Sequence, residues 1–407
     1  WGYLDFPLKM RYTRTLSLPS LGMTGKFHTS WGDFQSYKTP EALEFECFQM
    51  LALGAQCSVG DQLHPSGKID AKTYELIGAV YSQVEKKEPW CAGARQVSEI
   101  GVLTPEEFLG GAARQIPPAA FGAVRLLTEA ACQFDVLDSK SDFTKYKLLI
   151  LPDLIPTHGE LGAKIDAFVR GGGAVLASFE SATFSSSGVK VIGDAPFSPD
   201  FLVPEGALAE GLGSAEYVMY TKGKQVEPGA GTQVLAWTNV PYFNRTWDHF
   251  FSHRHTPSSG KRGYPGVTRN GKVIYFIHPV FGQYHMNAPK WVKTMVVNAI
   301  GQLLPEPVLE LRAPSTVIAA LNEQPAQRRW VLHLLHYIPE RRGTAFDVIQ
   351  DVIPVHDLAV ALRPGRSVKR VAAAPEGQTL KYSAEAGVVR FTLPRLAGHQ
   401  MIAIEFA

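Results

Sequence analysis

Gly22-Met23-Thr24-Gly25-Lys26-Phe27-His28-Thr29-Ser30-Trp31-Gly32-Asp33-Phe34 and Cys57-Ser58-Val59-Gly60-Asp61-Gln62-Leu63-His64-Pro65-Ser66-Gly67 follow one plan. Each begins in a short run of small and apolar residues, Ser20–Gly25 and Gln56–Gly60, that reads as a strand. Each then opens into a long polar loop. Helices flank them. Leu8–Leu16 is a short helical stretch that Pro19 stops. Thr39-Pro40 starts the next helix with an N-cap hydroxyl and a proline at the first helical position, and Glu41 and Glu44 suit its positive end. Leu43, Cys47, Met50 and Leu51 have the spacing of a buried face, and Gly54 closes the helix. Asp70 caps a third helix, with Tyr74, Ile77, Val80, Tyr81 and Val84 on one face and Glu88-Pro89-Trp90 at its end. Helix, strand, loop, helix, strand, loop, helix is the rhythm of a (β/α)8 barrel, which keeps its chemistry in the loops after its strands. Two strands cannot close a barrel that needs eight. Residues 1–92 therefore read as the C-terminal portion of a TIM-type barrel whose remainder would lie upstream of Trp1.

Beyond this stretch the pattern changes twice. Val97–Leu103, Phe134–Leu137, Lys147–Leu151, Ala174–Ser178 and Lys272–His278 read as strands, and Pro117–Cys132, Gly159–Arg170 and Pro289–Leu304 as helices. The alternation predicts a flavodoxin-like, doubly wound domain over 93–305, interrupted by an insertion between about Phe184 and Asn270. Pro305-Glu306-Pro307 is a linker. Trp330–His336, Asp357–Leu362, Val388–Leu393 and Met401–Phe406 then alternate as short strands, which predicts a small β-sandwich over 306–407. The fold class is α/β, in three parts.

Composition narrows the function. The chain has 407 residues, of which 45% are hydrophobic and 19% charged. These proportions exclude a disordered chain and a coiled coil. Forty Lys and Arg against 38 Asp and Glu leave a net charge of +2, with no basic field for nucleic acid. No apolar run is long enough to span a bilayer. Cys47, Cys57, Cys91 and Cys132 are scattered, which fits reduced thiols in the cytoplasm; a leader upstream would leave secretion open. There is no glycine-rich dinucleotide fingerprint, phosphate loop or G-x-S-x-G elbow, and no cofactor is expected.

Three constellations carry chemistry. The first loop sets Lys26, His28, Trp31 and Asp33 together, the mixture a sugar site uses: an aromatic face against ring C–H groups, and short polar groups for hydroxyls. A packed surface loop is the plainer reading. The second loop offers Asp61, Gln62 and His64 at the barrel mouth, where Asp61 can bind a hydroxyl, act as acid/base or cap the turn. The third, His249-Phe250-Phe251-Ser252-His253-Arg254-His255-Thr256-Pro257, suggests a metal, but no further ligand motif follows. No metal is expected there, and His253 and His255 read as an exposed loop or subunit contact. The doubly wound domain resembles a class I glutamine amidotransferase in pattern, yet Ser178-Phe179-Glu180-Ser181 stands where the nucleophilic Cys should follow the strand.

The two loop segments quoted first resemble a bacterial glycoside hydrolase group that joins an α-L-fucosidase-like barrel to a β-galactosidase trimerisation domain, similar to α-L-fucosidase family one hundred and fifty-one. The domain order resembles that of β-galactosidase family forty-two, and Lys272–Pro305, with His278-Pro279-Val280-Phe281 and Tyr284, is similar to the end of its trimerisation domain. The resemblance implies a retaining exo-glycosidase acting on a fucoside or galactoside and assembled as a homotrimer or a multiple of it. Family forty-two places its nucleophilic Glu eight residues before a substrate-stacking Trp. If Trp31 is that Trp, the position holds Met23, which cannot attack a sugar. Only Trp31 transfers, as a substrate contact beside His28, Gln62 and His64. In α-L-fucosidases the nucleophile is an Asp on the fourth strand, expected upstream of Trp1. Asp61 and Asp33 are the acid/base candidates; retaining enzymes hold their two carboxyl groups about 5–5.5 Å apart. The rival readings are a β-galactosidase-like hydrolase and a non-catalytic carbohydrate-binding or assembly protein.

Overall fold

The computed structural model describes residues 2–109 and 116–407; Trp1, where the sequence reading sets the cut, lies outside the described residues. The chain divides into two compact units. One comprises Trp1–Ser98, Leu127–Phe134 and Pro307–Ala407, the other Glu99–Leu126 and Asp135–Glu306.

In the first unit Leu21–Gly25 and Gln56–Gly60 are a parallel pair in which Gly25 stands opposite Gly60. The helix Pro40–Ala52 is capped as its sequence predicts, Thr39 Oγ1 accepting the Ala42 N–H at 3.2 Å. The helix Ala71–Lys87 begins at Asp70, which accepts the Thr73 N–H at 2.7 Å. Its buried face runs through Thr73, Leu76, Val80, Val84 and Lys87. Tyr74, expected on that face, is exposed, and Ile77 and Tyr81 are only half-buried. The apolar residues of this helix spread over more than one stripe, and the contact with the helix Pro40–Ala52 selects the one through Leu76 and Val80.

Most of the rest of this unit is built on two larger antiparallel sheets. One has the order Leu309–Arg312, Val355–Leu362, Val388–Leu396, Tyr382–Glu385; the other Val368–Ala374, Gly398–Phe406, Arg329–His336, Val317–Gln324, Arg95–Gln96. Leu321, Leu332 and Ile402 from the second sheet share a core with Leu358, Val360 and Phe391 from the first. The strand Arg329–His336 is buried on both faces. Leu332 and Leu334 enter the core between the sheets, and Leu335 joins Leu43, Phe45 and Phe48 of the helix Pro40–Ala52. That double burial explains why apolar residues occupy both faces of the strand, since alternation is lost when neither face meets water.

The second unit is built on a nine-stranded sheet. Ile100–Leu103, Leu148–Leu151, Ala174–Ser178 and Val273–Phe276 run parallel. With Phe134–Leu137 at the edge, these five strands stand in the spatial order 2-1-3-4-5, a doubly wound order. Beyond Val273–Phe276 the same sheet continues antiparallel through Ser258–Asn270, Gln233–Pro241, Asp200–Pro204 and Tyr217–Met219. The stretch Phe184–Asn270 is therefore in large part an extension of the sheet, where the sequence reading sets an insertion. The reason lies in the strand Ser258–Asn270, which carries Gly260, Gly263, Pro265 and Gly266 and pairs through several bulges. A Cβ at Gly266 would lie 2.3 Å from Leu202 Cδ2, so packing demands a residue that hides the strand's alternation. No helix among the described residues is long and apolar enough to cross a membrane.

A histidine pair is among the polar groups buried in the first unit. His333 and His399, from neighbouring strands, stack with ring centroids 5.3 Å apart, and His333 Nδ1 is 3.1 Å from His399 Nε2. The Phe48 ring covers His399 at 5.0 Å. Burial, and then the nearby charge of Lys87, pushes the His333 imidazole down to about 3. Burial, followed by the charges of His333 and Lys87, holds His399 well below its ordinary value. Both are neutral in the folded chain, with folded pKa values below those of the unfolded chain. The stability they hold is complete above pH 6.5 and falls as the pH drops, by up to about 1.4 kcal/mol per pH unit for each imidazole. Urea unfolding between pH 7 and 4 should show this acid slope, and His333→Leu/His399→Phe should flatten it. An equal slope in the double variant would remove the pair as its source.

Candidate functional site

The two loops after the parallel strands start side by side, because Gly25 and Gly60 end those strands in register. Their glycines admit the indole of Trp31. A Cβ at Gly60 would lie 2.2 Å from Trp31 Cη2, and one at Gly25 would lie 3.4 Å from Trp31 Cζ3. Phe27 meets the indole edge-on at 5.2 Å. Gly32, at φ +87°, turns the chain so that a Cβ there would lie 3.1 Å from Gln62 Nε2. Trp31 and Gln62, from different loops, thus share one place, and Trp31 remains 58% exposed.

The other candidates have their own partners. Asp33 Oδ2 accepts the Thr29 hydroxyl at 2.6 Å. Hydrogen bonds from Thr29 and Ser36 hold its carboxyl below the usual range. Asp61 is half-buried at the start of the second loop and has no ion-pair partner among the described residues. His64 Nδ1 lies 3.0 Å from the Ser66 hydroxyl, and its ring meets Phe34 edge-on at 6.4 Å. His28 stands edge-on to Phe346 at 5.3 Å.

Two further polar groups stand near the loops: Lys26, which the sequence groups with the site, and Glu46, which it does not reveal. The Lys26 side chain is buried, its ammonium 5.0 Å from the Phe27 ring centroid and 4.7 Å from that of Tyr37. Glu46, on the helix Pro40–Ala52, takes both Lys38, at 2.6 and 2.8 Å, and the Thr24 hydroxyl. Sequence spacing gives no sign of this cluster, because it joins the end of one strand, a loop and the following helix.

In the second unit Phe179 stands directly after the strand Ala174–Ser178 at φ +52°, where the sequence reading seeks a nucleophile. Its carbonyl accepts the Tyr275 hydroxyl at 2.6 Å. The Lys224 ammonium sits 4.7 Å over its ring and pairs with Glu180 at 3.0 Å and Asp194 at 2.9 Å. A phenyl group offers no nucleophile. Nearby, the buried Asp153 accepts the Gly282 N–H at 2.7 Å and the Ser178 hydroxyl at 2.7 Å, so it caps the helix Val280–Asn287. Burial pushes its carboxyl up to about 6 against the pull of those bonds. His278 Nε2 lies 2.6 Å from Asp200 Oδ1, and the Tyr264 hydroxyl donates to Asp200 Oδ2 at 2.6 Å, all three groups being buried.

His253 and His255 lie in the loop between the strands Gln233–Pro241 and Ser258–Asn270. Arg245 donates to the His253 carbonyl at 3.0 Å. The His253 ring leans on Phe251 and the His255 ring on Phe201 and Tyr220. Among the described residues no three His, Cys, Asp or Glu groups are placed to hold a metal ion. The loop's tip is apolar and open: Trp247 is 90% exposed, with Tyr242, Phe250 and Phe251 beside it.

The α-L-fucosidase isoenzyme 2 of Paenibacillus thiaminolyticus matches all of this chain at 39% identity, with a TM-score of 0.94. The chain resembles an α-L-fucosidase. It spans 63% of that protein's length. Residues 125–214 match the family model of the β-galactosidase trimerisation domain. The β-galactosidases of Bacillus circulans sp. alkalophilus (14% identity, TM-score 0.67, 99% of this chain and 58% of that one) and of Rahnella sp. R3 (15%, 0.65, 98% and 57%) share the fold. No curated protein matches the chain in sequence.

The packing of Trp31 on Gly60 is testable. Gly60→Ala should drive the indole off the strand end, because the new methyl group overlaps it; overpacking of this kind costs about 1–3 kcal/mol unless the ring moves away. Tryptophan emission of the variant should shift relative to the parent protein. Unchanged emission together with unchanged stability would show that the indole does not rest there.

Proposed function

We propose that the chain is part of a retaining exo-glycosidase that acts on α-L-fucosides. The observation that carries this reading is the 39% identity to an α-L-fucosidase along the whole chain. The placement of Trp31 beside Gln62 over two glycines supports it. In this reading residues 1–92 are the closing strands and helices of a TIM-type barrel, 93–305 an amidotransferase-like trimerisation domain and 306–407 a β-sandwich. Support comes from the in-register parallel pair, the 2-1-3-4-5 strand order and the two sheets that share a core. The four free cysteines fit a reducing cytoplasm.

The chemistry follows from residue types. The open face of Trp31 takes the C–H face of a sugar ring. Gln62, His28 and His64 bind hydroxyls. Retaining hydrolysis needs one carboxylate to attack the anomeric carbon and one carboxylic acid to protonate the leaving oxygen. Asp33 is held ionised by its hydroxyl donors and so has no proton to deliver to the leaving oxygen, which favours Asp61 as the acid/base of the two. The nucleophile is assigned to barrel strands other than the two described. Sugar is the ligand in this reading. The loop carrying His253 and His255, with its exposed Trp247, is assigned to a subunit contact in a homotrimer.

Assays of the full-length protein on nitrophenyl α-L-fucoside and β-D-galactoside test the reading. Asp61→Ala should lower kcat at least about a hundredfold, the ordinary size of an acid/base contribution. Trp31→Ala should raise KM about tenfold, or ~1.4 kcal/mol of lost stacking. Full activity in Asp61→Ala removes Asp61 from the site; hydrolysis of the galactoside alone favours the β-galactosidase-like reading; hydrolysis of neither, with sugar binding retained, leaves a carbohydrate-binding protein. Sedimentation gives a separate check, since His253→Ala/His255→Ala/Trp247→Ala should move the full-length protein from a trimer toward a monomer. An unchanged mass would take the loop out of the contact.

A further inference from the structure

The outer face of the sheet Leu309–Arg312, Val355–Leu362, Val388–Leu396, Tyr382–Glu385 carries an open trough of about 930 Å³. Its floor is Ala359 and Ala361, side chains too small to fill the space between their neighbours. Register places the rest. Arg312 stands opposite Ala359, which stands opposite Thr392. Glu310 stands opposite Ala361, and Arg390 lies between Ala361 and Ser383. Lys381 directly precedes the edge strand. Three cations, Arg312, Arg390 and Lys381, therefore surround a bare floor, spread across four strands spaced about 4.8 Å apart. None of the three has an ion-pair partner among the described residues. The single carboxylate in the trough, Glu310, is taken by Arg363 at 2.7 Å. The trough is therefore positive although the chain as a whole carries only +2.

We propose that this trough binds a sulfated oligosaccharide. Guanidinium groups match the oxygens of an oxyanion in paired hydrogen bonds, and Thr392 and Ser383 offer hydroxyls between the cations for a polyhydroxylated chain. A nucleic acid would find no stacking platform: the one aromatic ring at the edge, Tyr382, packs toward the core and donates its hydroxyl to the Val368 carbonyl at 3.2 Å. A membrane surface would need apolar groups reaching out of the face, and the floor is alanine. Among acidic sugars a sulfate ester fits best. Arg312 and Lys381 stand at opposite rims, and an ester projects sideways from the sugar ring far enough to reach them, whereas a uronate carboxylate is fixed on the ring carbon. The site lies apart from the two barrel loops and assigns an ancillary role to the β region. It concerns binding alone and does not depend on the fucosidase reading.

Affinity electrophoresis of the full-length protein in gels containing dextran sulfate, polygalacturonate or plain dextran tests the assignment. Dextran sulfate should retard the protein and dextran should not. Arg312→Ala/Arg390→Ala should reduce the retardation at least fivefold. The control Lys369→Ala/Arg395→Ala removes the same charge from exposed positions that do not line the trough and should retain it. All four side chains are exposed or half-buried, so melting temperatures should stay together and report folding. Equal retardation in the two double variants, or none in the parent protein, overturns the site. Stronger retardation by polygalacturonate overturns the choice of sulfate, and equal retardation in a further gel containing RNA overturns the assignment to a sugar. Fucosidase activity is read in a separate assay, so failure of that reading leaves these outcomes unaltered.

Discussion

The first unit depends on a helix with almost no solvent face. Nine of the thirteen residues of Pro40–Ala52 are buried. A surface helix buries one stripe and leaves the opposite face to water. Here Met50 packs beside the parallel strand pair, while Phe45 and Phe48 meet Tyr337 and His399 from the β region. Each such apolar side chain contributes roughly 1.5–3 kcal/mol on burial. Polar contacts then fix the helix in position. The Thr39 hydroxyl reaches the Ile349 carbonyl, Tyr337 donates to Glu44 at 3.3 Å, and Asn322 donates to the Ala52 carbonyl at 3.1 Å. Residues some 270 to 310 positions apart in sequence therefore set the base on which the two loops stand.

That base explains where the loops point. His28 leaves the first loop and meets Phe346, beyond the helix that the β region holds. Lys26 is buried, its charge shared between the faces of Phe27 and Tyr37. A buried ammonium needs such company or a counter-ion, since an isolated charge in a low dielectric is expensive. The aromatic residues of the first loop thus divide their tasks: Phe27 and Tyr37 cover the lysine, and Trp31 keeps a face open.

Local chemistry was legible in the sequence wherever a short motif specifies geometry. Thr39-Pro40 and Asp70 are caps whose hydroxyl or carboxylate reaches an N–H three residues on, and both do so. The glycines that end the two strands, Gly25 and Gly60, leave room for Trp31, a close approach that only the structure shows. Long-range selection was hidden. Tyr74 and Leu76 are both apolar and nearly adjacent, and only the partner helix decides which is buried. The strand Ser258–Asn270 was unreadable because its glycines serve neighbouring side chains and its bulges break alternation. Asp33 and Asp61 look equivalent as residue types, yet the hydroxyls of Thr29 and Ser36 separate them, and those bonds depend on how the loop folds back on itself.

The second unit is a doubly wound scaffold in which Phe179 follows the strand Ala174–Ser178. Phe179 holds a left-handed backbone that a non-glycine residue adopts only under constraint. The constraint is visible: its carbonyl is tied to Tyr275 and its ring lies under Lys224. Asp153, also at positive φ, turns its carboxylate onto the N-terminus of the helix Val280–Asn287, so a buried acid at a strand end acts as a cap. His278, Asp200 and Tyr264 form a closed polar chain that meets no solvent. Groups that could move protons are here spent on holding elements together. Four aromatic residues left in water, Tyr242, Trp247, Phe250 and Phe251, lie instead in one loop. Residues 125–214, which match the family model of the β-galactosidase trimerisation domain, lie largely in this unit.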